Sequence, residues 1–210
     1  MQKKKQTFER VNKDGSTSEI KTATEGMPIT EIETIEKIKS ALNVKKTRKY
    51  YALFCIGINS ALRIGDICPL KVSTVKTGYV STHETKTGKV KKFPINNALK
   101  KVLNEYIKEF DLHDDDYLFF ANRKDGRKDL KCIDKSQAYR KLKSIVESVA
   151  PDIDFKTHVM RKTCAYWLYK NTKDITLVMN ALNHSSISVT MRYIGLTQES
   201  VDSAFDNLNL

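Results

Sequence analysis

From Tyr50 to Leu62 the chain reads YYALFCIGINSAL, with apolar residues on nearly every helical face. That run is too short to cross a bilayer, which takes about 20 apolar residues. A stretch apolar all round can satisfy its backbone and hide its side chains only as a helix at the centre of a core. The reading is a buried helix from about Lys46 to Leu62, around which the other elements must pack. Arg63 follows at once, in ALRIGD. A guanidinium at the end of a buried helix either answers the helix macrodipole or lies inside, where it needs an anionic partner. Asp66 is a candidate to orient it. Gly65-Asp66 reads as a stop and a new N-cap, with a short helix from Ile67 to Leu70 interrupted near Pro69.

The remaining periodicity is mostly helical. Thr30 and Glu33 have the spacing of a capping box, opening a helix through about Leu42 with Ile32, Ile35, Ile38 and Leu42 on one face. Leu99, Val102, Leu103, Tyr106, Ile107 and Phe110 mark another. Leu142, Ile145, Val146 and Val149 mark a third, stopped by Pro151. Thr157 and Asp174 read as caps of helices through about Lys170 and Leu182. A short helix around Ser188–Tyr193 ends at Gly195, and Thr197 opens a last one. Between these lie strand-like segments at Val72–Val75, Gly78–Glu84 and Val90–Ile95, expected to form a three-stranded antiparallel sheet. DLHDDD at 111–116 and ANRKDGRKD at 121–129 read as loops. The fold class is mainly α with a small antiparallel β-sheet (α+β).

Residues 1–27 are polar and basic, with NKDG as a turn signal between TFERV and SEIKT. They read as a basic arm or hairpin, the disordered arm preferred. The ordered domain runs over 28–210, with 196–210 a C-terminal helix.

In 210 residues, 37 basic side chains against 25 acidic ones give a formal charge of +12. Such a balance calls for a polyanionic partner, and nucleic acid is the expected one. Cys55, Cys68, Cys132 and Cys164 form no C-x-x-C pair, so neither a zinc site nor a disulfide framework is expected and a reducing cytosol is. No apolar leader segment opens the chain.

Six residues carry chemistry. His158 and Arg161, in THVMRKT, are three apart and would share a helix face, able to address one phosphate. Lys86 stands in TKTG at a hairpin turn, where it can protonate a leaving oxygen; Lys89, Lys91 and Lys92 compete for that role. His184 and Tyr193 lie nine residues apart in LNHSSISVTMRY. A tyrosine hydroxyl can attack phosphorus and hold the product covalently. Lys89, Lys91, Lys92, Arg123, Lys124 and Arg127 are expected on DNA. The acidic run at 114–116 reads as solvated rather than as a metal site, and no cofactor is expected.

These boxes, in this order, resemble the tyrosine recombinase (phage integrase) family. The last is similar to that family's L-G-H-x-S-x-x-T-x-x-Y, with Asn183 where glycine is usual, a residue that also tolerates the left-handed conformation. Met160 stands where leucine is usual. The resemblance implies the family's catalytic domain in minimal form, either a naturally short recombinase or a fragment of a longer one. It implies site-specific cleavage and rejoining of double-stranded DNA through a 3′-phosphotyrosyl link on Tyr193. Arg63, Arg161 and His184 would hold the phosphate, His158 would assist at the tyrosine, and Lys86 would be the general acid. It further implies a homotetramer on DNA, the last helix docking on a neighbouring protomer, accessory DNA-bending proteins as partners, and a cytoplasmic, nucleoid-associated protein encoded by a bacterium or phage. Two other functions fit part of the pattern. A non-catalytic DNA-binding regulator would need the charge but not Tyr193; a type IB topoisomerase-like enzyme would share the chemistry on a single duplex. A basic RNA-binding protein lacks an RNP-type aromatic motif.

Overall fold

The structure is a computed structural model that describes residues 8–11, 17–20, 26–83, 88, 90–123, 126–196 and 205–206. Lys86, Lys89, Lys124 and nearly all of the 196–210 segment lie outside the described residues, as does the side chain of Lys91.

The apolar run forms α2, Arg48–Ser60, in which Ala52, Leu53, Phe54 and Ile56 are wholly buried. Helices α1 (Ile32–Leu42), α5 (Asn97–Glu109), α6 (Lys135–Val149) and α7 (Val159–Thr172) all pack on it or on one another. Gly57 sets the separation of α2 from α7: a β-carbon there would lie 2.6 Å from Met160 Sδ and 3.0 Å from its Cβ. The core continues through Tyr106, whose hydroxyl donates to the Leu118 carbonyl at 2.8 Å, and through Phe119 and Phe155. The chain enters the domain pinned to α7. Ile29 N donates to Thr163 Oγ1 at 2.9 Å, and Trp167 Nε1 donates to the Ile29 carbonyl at 3.0 Å.

Several local expectations are corrected. The α1 capping box does not form: the helix begins after Glu31, and the Thr30 hydroxyl donates to Glu31 Oε1 at 3.3 Å. Asp66 is no N-cap but lies within α3, Ile64–Ile67, with Arg63 at the cap position. Val72–Val75 is not a strand. It belongs to α4, Val72–Lys76, and its two buried valines are three apart, a helical spacing beneath a β-branched composition. The three-stranded sheet is therefore a two-stranded hairpin, β3 (Tyr79–His83) against β4 (Val90–Pro94), with Tyr79 opposite Pro94. The 121–129 segment is not simply a loop. It joins and partly forms a second hairpin, β5 (Phe120–Asn122) against β6 (Lys128–Cys132). Near the N-terminus, β1 (Phe8–Val11) pairs antiparallel with β2 (Thr17–Ile20).

The last two described helices are α8 (Ile175–Ala181) and α9 (Ile187–Tyr193). Asp174 caps α8 as expected, accepting from Thr176 N and Leu177 N at 2.8 and 3.0 Å. Together with α7 they bury a small second cluster of Ala61, Ala165, Val178, Leu182 and Ile194.

Candidate active site

Arg161 is the hub. It is 1% exposed, on the first turn of α7. Its Nη1 donates to the Ala61 carbonyl, and its Nη2 to the Leu182 carbonyl at 2.5 Å. One guanidinium thus ties together the α2–α3 link and the α8–α9 turn. Ala61 is two residues before Arg63, and Leu182 two residues before His184, so these bonds bring together the backbone segments that carry both residues. Both links bend through the left-handed region, at Ala61 (φ 52°) and Asn183 (φ 53°). An alanine in that conformation costs about 1–2 kcal/mol, and such strain persists only where neighbours hold it. The charge-assisted bond to the Ala61 carbonyl does so.

Arg63 is half-buried at the N-terminus of α3, its own carbonyl accepting from Asp66 N at 2.8 Å and Ile67 N at 3.0 Å. Asp66 is buried in the same turn.

His158 is not inside a helix with Arg161, as the spacing implied, but at the N-cap position of α7, and Thr157 does not cap it. The N-cap places the imidazole beyond the first turn and against α9. Its Nδ1 lies 2.5 Å from the Tyr193 hydroxyl, with the two rings edge-on. An imidazole nitrogen at that distance can accept the phenol proton. His184 packs its ring edge-on to Tyr193 with centroids 4.8 Å apart. Its Nδ1 is 3.1 Å from Thr190 Oγ1, while that hydroxyl donates to the Ser186 carbonyl at 3.2 Å. The contact with Thr190 fixes the orientation of the His184 ring.

Two residues of this site were not singled out in the sequence. Thr190 is fully buried beneath His184. Lys162, 6% exposed, sets its Nζ 5.3 Å from the centre of the Tyr193 ring. The signal for Lys162 was present: it is one helical turn beyond His158 and so falls on the same side of α7.

Of the expected DNA-binding residues, Lys92 is exposed on β4 with its Nζ 5.1 Å from the Tyr79 ring centre. Arg123 and Arg127 are exposed at the β5–β6 turn, joined by a backbone bond of 2.8 Å. That hairpin is anchored from below. The buried Lys49 donates to the Phe120 carbonyl at 2.7 Å and to Asn122 Oδ1 at 2.8 Å, and burial pushes its ammonium down to about 8. The thiols of Cys55 and Cys68 are pushed up by burial to about 11 and about 12, which keeps them protonated and inert. Among the described residues, no group of three or more His, Cys, Asp or Glu is placed to hold a metal ion, and no helix is long and apolar enough to cross a membrane.

A helical domain with small hairpins, in which an arginine hub gathers two histidines and a tyrosine, defines a catalytic domain of the tyrosine-recombinase type. Comparison with known proteins agrees. The model of the phage integrase family matches residues 29–200. The chain is 40% identical over 179 residues to the probable integrase/recombinase YoeC of Bacillus subtilis, covering 85% of this chain and 94% of that one. It is 24% identical to the tyrosine recombinase XerA of Pyrococcus furiosus, covering 85% of this chain but 60% of the relative. The chain belongs to the phage integrase family, whose members of this type are tyrosine site-specific recombinases. Solved structures share the fold. A XerA recombinase superposes with a TM-score of 0.70 at 21% identity, over 88% of this chain and 67% of that one. The catalytic domain of bacteriophage HP1 integrase gives 0.57 at 20% identity, over 86% and 95%. XerH recombinase, in a post-cleavage complex with its palindromic difH substrate, gives 0.64 at 19% identity, over 86% and 53%.

Proposed function

We propose that this chain cleaves and rejoins double-stranded DNA at specific sites, with Tyr193 as the nucleophile. The observation that carries the reading is the Tyr193 hydroxyl 2.5 Å from His158 Nδ1, beside a second histidine. As the phenol oxygen forms its bond to phosphorus, its proton passes to His158. The P–O5′ bond breaks, leaving a 3′-phosphotyrosyl link, and the departing 5′-oxygen takes a proton from Lys86. A 5′-hydroxyl of a partner strand then attacks the link and releases Tyr193. The phosphodiester energy is kept in the tyrosyl ester, so exchange needs no nucleotide cofactor.

Arg63 and Arg161 address the non-bridging oxygens and stabilise charge that grows in the transition state. A guanidinium has five N–H donors, so Arg161 can brace two carbonyls and still serve an anion. His184, its ring held by Thr190, donates a further hydrogen bond to the phosphate. Lys92, Arg123 and Arg127, with Lys89, Lys91 and Lys124, track the duplex backbone. Four protomers on two duplexes carry out strand exchange, the segment beyond Gly195 linking neighbours and DNA-bending proteins assisting. DNA complexes named for the structural relatives support the DNA partner.

The test is covalent capture. The protein is mixed with fragmented DNA from its source, denatured in detergent, and the attached DNA is sequenced, with Tyr193→Phe beside it. Adducts at a discrete sequence, absent in Tyr193→Phe, are the expected outcome. Salt-sensitive binding with no adduct in the wild type refutes the reading.

A further inference from the structure

We propose that Lys162 is a positioning residue that readies Tyr193 for attack by stabilising its phenolate. The inference rests on Tyr193 being the nucleophile, and it adds a group to the machinery derived above.

Lys162 is an anomaly in its own helix. The first turns of α7 are buried, and a lysine at 6% exposure among Val159, Met160, Arg161 and Thr163 is out of place for a solvated side chain. Its ammonium is not spent on the surface but held 5.3 Å from the centre of the Tyr193 ring. His158, at the N-cap of the same helix, holds the hydroxyl of that ring at 2.5 Å. The same helix face thus offers Tyr193 a proton acceptor at its oxygen and a fixed positive charge near its ring.

The two act at different stages. A cation near a neutral aromatic ring feels only the ring quadrupole, a weak attraction at this distance. Once the proton moves to His158, the half-buried ring carries a full negative charge shared between oxygen and carbons, and the attraction becomes coulombic. The interaction strengthens along the reaction coordinate, which is the condition for it to accelerate the step. Among the described residues, the other charges around the phenol do not replace it. On α7, Arg161 is directed to the Ala61 and Leu182 carbonyls, and His158 gains a positive charge only as it takes the proton. On the α8–α9 turn, His184 meets the ring edge-on. On α9 itself, Arg192 is exposed. The buried members of the small cluster that Tyr193 packs on are Ala61, Ala165, Val178, Leu182 and Ile194, all without charge, and its partly buried edge carries Cys164 and Tyr169 among apolar residues.

The test reads the phenol directly, without DNA. Tyrosine labelled with carbon-13 at Cζ is incorporated, the Tyr193 resonance is assigned by its loss in Tyr193→Phe, and its titration is followed in wild type, Lys162→Met and Lys162→Arg. An opposite charge at this range moves a titration by about one unit or more. The expected result is a Tyr193 midpoint about one pH unit higher in Lys162→Met, largely restored in Lys162→Arg, with the other tyrosine resonances unmoved. The alkaline limb of covalent capture should shift with it, so that capture at neutral pH slows about tenfold. An unchanged Tyr193 midpoint in folded Lys162→Met overturns the proposal, as does a shift that Lys162→Arg fails to reverse. Absence of adducts from the wild type would instead overturn the recombinase reading, so the two failures are told apart.

Discussion

If Arg161 is the brace of the site, Arg161→Met should loosen the domain measurably and not merely silence it. Methionine fills most of the same volume and keeps an apolar stem, so the loss is concentrated in the guanidinium. The bonds to the Ala61 and Leu182 carbonyls go. Hydrogen bonds to a charged group contribute about 1.5–3 kcal/mol each, for a gross loss of about 3–6 kcal/mol. Removing a buried charge relieves its desolvation and offsets part of that. A net loss of about 3 kcal/mol is expected. For a domain of this size each kcal/mol moves the melting temperature by about 2–4 °C, so Tm should fall by about 6–12 °C. Far-UV circular dichroism reads the melt, with the exposed Arg192→Met as a control that should stay within about 0.5 kcal/mol of wild type. Hydrogen exchange should rise most at the α8–α9 turn, where the His184 amide donates to the Met179 carbonyl at 3.0 Å. A melt of Arg161→Met within about 2 °C of wild type would refute the brace.

Two further outcomes follow from groups away from the tyrosine. Lys49 is held near 8 when folded against an ordinary 10.5. Between those values the unfolded chain binds a proton that the folded chain does not, so this group's contribution to stability rises with pH across that window. Relative to Lys49→Met, the wild type should gain Tm from about pH 8 to about pH 10; a constant difference would contradict the assignment. The exposed Arg123 and Arg127 should each contribute about 0.9 to the slope of log binding constant against log salt if both meet phosphates. Replacing both by alanine should flatten the slope by about 2, measured by fluorescence anisotropy on duplex DNA, and an unaltered slope would remove the β5–β6 turn from the interface.

The long helices were legible because burial writes a period into the chain. α2 needed no partner to be recognised, and α5 and α6 followed from their apolar faces. The short elements were not, because their composition and their spacing disagree. Val72 and Val75 look like strand residues yet sit three apart, and the helix they form is fixed from outside, by Val72 N donating to the Asp116 carbonyl at 3.1 Å. The basic run at 121–129 reads as a loop because what holds its hairpin is Lys49, over 70 residues earlier in the chain. Five of the six chemistry-bearing residues lie in the described part of the chain, and all five fall on the elements that Arg161 joins or abuts. Lys162 and Thr190 escaped notice because each acts through another side chain. A lysine beside an arginine reads as surface charge until the helix is seen to bury it.

The assembly explains why the site is built on so few rigid contacts. Arg63, His184 and Tyr193 hang on short links and a two-turn helix, none of which could fix a side chain alone. What fixes them is the approach of α7 to α2 at Gly57 and Met160, which sets how far the Arg161 guanidinium stands from the Ala61 carbonyl. A methyl group at Gly57 would press on Met160, and the contact of the neighbouring Arg161 with the Ala61 carbonyl would have to adjust. Helix packing, backbone strain and the position of Tyr193 are therefore one coupled system. A substitution at Gly57, with no functional group near Tyr193, acts on the chemistry through that chain of contacts.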